Sequence, residues 1–81
     1  MIFLKKKWEV LTDAGWIVKD TEEEYIDVKT YDNIVCKKTR DFFIALGGTE
    51  KLIRKDGLVV KLISTSPSGV ERVVYEFARN G

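Results

Sequence analysis

No histidine occurs anywhere in the chain. That absence removes the commonest general base, the commonest metal ligand and the side chain that titrates near neutral pH. Neither a Ser–His nor a Cys–His catalytic pair can therefore form within it. Cysteine occurs once, as Cys36, which excludes an internal disulfide and any zinc site built on several cysteines. Small secreted domains usually need such cross-links, so cysteine usage points to a reducing, cytoplasmic setting. Long apolar runs are missing too. The longest covers residues 42–46, whereas crossing a bilayer takes about 20 residues. The opening MIFLKKK places its charges after its apolar residues, the reverse of a secretory signal. No membrane partner is expected. Charge of either sign is not in excess: 14 basic residues against 13 acidic leave a net charge of +1.

What remains is an ordinary globular composition, 44% hydrophobic and 33% charged over 81 residues. A chain of this length makes one domain, 1–81, and buries roughly 60–65% of its unfolded surface. No internal repeat or low-complexity segment divides it.

β-branched and aromatic residues dominate, and turn residues recur at short intervals, so short strands are expected. Residues 2–11 read as a first strand, ended by the turn residues Asp13 and Gly15, with a short second strand over 16–19. The acidic run Glu22-Glu23-Glu24, with Asp20 and Asp27 beside it, reads as a solvated turn. Ile26 and Val28 alternate with charge over 25–30, as on a half-buried strand; Asp32-Asn33 then reads as a turn and 34–36 as a short apolar strand. Thr39 is placed to cap a single short helix over 40–46, stopped by Gly47-Gly48. Segments 51–54 and 58–65 flank Lys55-Asp56-Gly57, a hairpin signal, and Ser66-Pro67-Ser68-Gly69 is the clearest turn. Residues 70–79 close the chain as a strand with Val73, Tyr75 and Phe77 on one face. The expected fold is mainly β with one short helix (α+β), a small antiparallel curled sheet or barrel. Its order of strands and helix is compatible with an OB-like arrangement.

Cys36 reads as a small buried hydrophobe in its strand, although Lys37 and Lys38 could in principle lower its pKa. The carboxylates have no loop motif for a divalent cation, and 81 residues offer little room for the cleft that two-carboxylate glycoside chemistry needs. Catalytic, metal-binding and cofactor-binding residues are thus not assigned. Trp8 and Trp16 flank one turn; at least one is expected in the core, and an exposed one would mark an interface anchor.

Three fragments resemble the Hint fold of inteins and hedgehog self-processing domains. Residues 8–16 (WEVLTDAGW) are similar to its opening threonine and Gly-Trp turn. Residues 28–36 (VKTYDNIVC) resemble the strand pair before its Thr-x-x-His block, and 60–63 with 69–77 resemble its late Val-Tyr strand. Such domains begin at a nucleophilic Cys or Ser, and none precedes Trp8. Lys37-Lys38-Thr39-Arg40 stands where the block histidine would be, and Asn80-Gly81 lacks the terminal His-Asn pair. The resemblance therefore implies a truncated, catalytically inert β-scaffold, with no functional residue carried over.

Two functions follow as expectations. The first is a non-enzymatic binding or inhibitor-type module acting on a protein partner or as a homodimer. Its anchors would be Trp8, Trp16, Tyr31 and Phe43, with residues 37–40 as a charged rim. The alternative is a single-stranded nucleic-acid-binding β-barrel. It would use the clusters Lys5-Lys6-Lys7, Lys37-Lys38-Arg40 and Lys51-Arg54-Lys55, with Trp8, Tyr31 or Phe42 stacking on bases. The near-neutral charge weighs against the second, and lysines also guard strand edges without any ligand.

Overall fold

The computed structural model describes residues 1–36 and 42–79. Five strands form one antiparallel sheet: β1 (Ile2–Thr12), β2 (Gly15–Ile26), β3 (Thr49–Lys55), β4 (Leu58–Thr65) and β5 (Glu71–Arg79), in the order β2-β1-β5-β4-β3. Two helices, α1 (Val28–Val35) and α2 (Phe42–Ala45), lie between the second and third strands. The sheet is open. Among the described residues its edge strands β2 and β3 have no further strand partner, so the curled sheet is found rather than the barrel. The helices follow two strands instead of three, which departs from the OB-like order.

Local chemistry explains each turn. Between β1 and β2, Thr12 Oγ1 donates to the Gly15 carbonyl at 2.9 Å and accepts from the Ala14 N–H at 3.2 Å. Between β3 and β4, Asp56 and Gly57 both take left-handed backbone angles (φ +52° and +80°), the combination a two-residue hairpin turn requires. Between β4 and β5, the Gly69 N–H closes on the Ser66 carbonyl and the Glu71 N–H reaches the Ser66 hydroxyl. Gly48 serves a different need. A Cβ there would run into the carbonyls of Thr65 and Phe43, so only glycine lets β3 start this close to its neighbours.

The second strand and first helix correct the sequence expectation. The acidic run is not a turn but the second half of β2, in register with 4–8 of β1. Residues 28–35, expected as strand, turn and strand, form α1. Its start is set by Asp27, whose carboxylate accepts the Thr30 N–H at 2.7 Å. Hydrogen bonding from Thr30, hydroxyl first and then N–H, holds that carboxyl below its usual 3.8. Tyr31, Ile34 and Val35 recur at helical spacing and all face the core. The alternation of Ile26 and Val28 is not a strand face: β2 ends at the buried Ile26, and Val28 is the exposed first residue of α1. Cys36 ends α1 and is exposed, not buried in a strand. Of the helix expected over 40–46, Phe42–Ala45 is helical and ends where Leu46 and Gly48 donate to the Phe43 carbonyl; Thr39, Arg40 and Asp41 lie outside the described residues.

One face of the sheet carries the core. Ile2 and Leu4 of β1, Ile26 of β2, Val59 and Leu62 of β4 and Tyr75 and Phe77 of β5 pack with Ile34 of α1. Val59 reaches this face because the β3–β4 register shifts after Ile53. Tyr31 completes the contact. Its ring meets Phe77 edge-on at 4.9 Å and its hydroxyl donates to the Val59 carbonyl at 2.7 Å.

Leu62 is fully buried, so Leu62→Ala is expected to cost about 3 kcal/mol, read from urea unfolding. Burial raises the Tyr31 phenol above its ordinary 10.0. Its folded-state pKa exceeds the unfolded one, so the associated stability is intact below about pH 10 and is lost as pH rises through the folded value. Tyr31→Phe should flatten that alkaline decline in a pH series of unfolding midpoints, while costing about 1 kcal/mol at neutral pH.

Candidate functional site

Strand alternation sorts the basic residues of β1 between two faces. Lys6 points to the helix-covered face, 5.6 Å above the Tyr75 ring, and lines a hollow of about 270 Å³ with Glu22, Glu24 and Thr30. Lys5 and Lys7, one residue either side, face the other way. The run Lys5-Lys6-Lys7 is therefore not one patch.

On the uncovered face Lys7 and Arg72 belong to a ladder of alternating charge. Lys7 Nζ lies 3.0 Å from Glu76 Oε1 and 3.9 Å from Glu9 Oε2, and Arg72 Nε donates to Glu9 Oε1 at 2.7 Å. Glu9 and Arg72 sit directly opposite each other in the β1–β5 register. Glu9 is only 6% exposed, a depth at which a carboxylate needs such a partner. Arg72 is sandwiched further, its guanidinium 4.0 Å from the centre of the Trp16 ring. Sequence reasoning missed this pair. Its members are 63 residues apart, and only the strand order brings them together.

The tryptophans correct another expectation, because neither is in the core. Trp16 is half-buried beneath Arg72, and Trp8 is 42% exposed with its indole N–H donating to Glu71 Oε1 at 3.1 Å. Around Trp8 the end of the β1–β2 hairpin is apolar and uncovered. Leu11, Ile17, Val18 and Val70 are each between 41% and 47% exposed. The registers Val10–Ile17 and Glu9–Val18 and the bond from the Leu11 N–H to the Val70 carbonyl hold them at one end of the sheet. This end lies away from α1, which packs at the Ile2, Leu4 and Ile26 end.

The other expected positions do not join this cluster. Tyr31 faces the core. Phe43 is half-buried in α2, at the β3–β4 side of the molecule. Lys51, Arg54 and Lys55 line the opposite edge of the sheet on β3. Lys37, Lys38 and Arg40 lie outside the described residues. A second hollow, about 340 Å³, opens between Tyr31, Leu58, Val59 and Phe77, with Lys55 and Arg79 at its walls. Among the described residues no three acidic or cysteine side chains converge as a metal site, and no helix is long and apolar enough to cross a membrane.

Arg72→Ala leaves the buried Glu9 carboxylate with only the more distant Lys7 as cation. It is expected to cost about 2 kcal/mol in urea unfolding and to shift Trp16 fluorescence. Glu9→Val with Arg72→Val should recover part of that loss, since no buried charge is then left unpaired.

No family model matches the chain, and neither the curated proteins nor the solved structures include a match to it.

Proposed function

We propose that this protein is a non-enzymatic binding module, cytoplasmic on its cysteine usage, that contacts a protein partner through the free end of the β1–β2 hairpin. The observation that carries this is the exposed apolar end of that hairpin, where Trp8 and Ile17 stand on one face of the sheet and Leu11 and Val18 on the other, beside the Glu9–Arg72 pair. Exposed apolar side chains gathered in one place, with a polar border, are the composition of an interface centre. Trp8 is the natural anchor, its indole held in orientation by Glu71. Trp16 lies on the other face of the sheet, under Arg72.

Single-stranded nucleic-acid binding is the alternative, and it has less support. The β1 lysines are divided between two faces, and Lys7 is already paired with carboxylates. The basic residues of β3 stand across the sheet from Trp8.

Cross-linking of the protein in its native extract tests the first reading. Partners captured by the native chain should be lost with Trp8→Ser/Leu11→Ser, whose urea midpoint stays near the native one. A weakening of at least about tenfold is expected for removal of a central aromatic anchor. Capture that is unaffected by the variant would refute the proposal. Binding of a labelled single-stranded oligonucleotide that falls steeply between low and moderate salt would favour the alternative.

A further inference from the structure

The two edges of the sheet carry opposite charge. The outer half of β2 presents Asp20, Glu22, Glu23 and Glu24, all exposed. β3 presents Lys51, Arg54 and Lys55, also exposed. Among the described residues no ion pair engages any of these seven side chains. The outer backbone groups of both strands lack a ladder partner there as well. Charges on edge strands usually prevent sheets from joining, and like charges on both edges would do that for every combination. Here β2 repels a second β2 and β3 repels a second β3, while β2 and β3 attract.

We propose that copies of this chain associate head to tail, the acidic edge of β2 in one copy pairing with the basic edge of β3 in the next. The geometry allows it. A sheet of five antiparallel strands has edge strands running in the same direction. A copy displaced sideways with the same face upward therefore lays β3 alongside β2 in parallel. Glu22 and Arg54 share the helix-covered face, through their register with Lys6 and Val59, and Glu23 and Lys55 share the other. One shift of the strands sets both pairs opposite at once; the same shift brings Lys19 level with Lys51 and Glu24 level with Asp56, which limits the strength of the contact. This contact is heterologous, so each copy keeps one free edge and growth continues past two copies into a ring or an open array. A symmetric dimer through either edge would place like charges together. The contact rests on exposed charges and a seven-residue strand, so it is weak and screened by salt. It uses neither Trp8 nor Leu11 and stands independently of the hairpin-end proposal.

Sedimentation of the native chain, from micromolar to millimolar concentration, provides the test. In about 50 mM salt the mean mass should grow past that of a dimer; in about 500 mM salt association should weaken at least about tenfold. Glu22→Lys/Glu23→Lys makes both edges basic, and Arg54→Glu/Lys55→Glu makes both acidic. Each variant alone should remain monomeric, and an equimolar mixture should assemble. Far-UV circular dichroism confirms folding, and Glu23→Gln, expected to weaken association several-fold, serves if a reversal variant does not fold. Trp8→Ser/Leu11→Ser should assemble like the native chain. A native chain that stays monomeric in low salt at millimolar concentration overturns the proposal. So does a mass that stops at two copies, or one unchanged by both charge reversals.

Discussion

A helix of eight residues is about 12 Å long, while the molecule extends 39 Å along its longest axis. α1 can therefore cover only one end of the sheet. At that end, Tyr31, Ile34 and Val35 meet Ile2, Leu4, Phe77 and the buried part of β4, and the core forms. At the other end, among the described residues, no helix packs on the β1–β2 hairpin, and Trp8, Leu11, Ile17 and Val18 stay partly exposed. The radius of gyration, 12.8 Å, exceeds the roughly 11.7 Å expected of a compact chain of this length. The molecule is accordingly elongated, 39 × 24 × 21 Å.

Where no layer covers the sheet, cross-strand charge takes over part of the work of apolar packing. Glu9 is buried by its neighbours on the sheet surface, and Arg72 neutralises it from the adjacent strand. Lys7 bridges Glu9 and Glu76, and Val74, directly opposite Lys7 in the β1–β5 register, is nearly inaccessible. The face is therefore ordered without being apolar. The same interleaving leaves no broad field of one sign there, and separated charge is confined to the two edges.

The hairpins were legible because their signals are local. Asp56-Gly57 takes two left-handed conformations in succession, and Ser66 to Gly69 closes on its own hydrogen bonds. The last strand was legible for a related reason. Val73, Tyr75 and Phe77 alternate over enough residues to define a face. α1 was not, because the capping bond of Asp27 and the spacing of Tyr31, Ile34 and Val35 overlap a short strand-like alternation. Residues 20–24 were also misread. Their carboxylates are poor strand formers by propensity, and the ladder to β1 overrides that preference. Of the candidate anchors, Trp8 is exposed at the free hairpin end, while Tyr31 is turned inward by Phe77 and the Val59 carbonyl.

The amino-acid sequence by itself determined the single β-rich domain, the turns and the absence of histidine and disulfide chemistry. These depend on composition and on contacts within a few residues. Tertiary structure alone decided the strand order β2-β1-β5-β4-β3, and with it everything that spans distant segments. The Glu9–Arg72 pair, the placement of both tryptophans outside the core and the opposite charge of the two edges all follow from that order. Pairing in a sheet is chosen by the burial of a whole face at once. No short stretch of residues carries enough information to specify its partner.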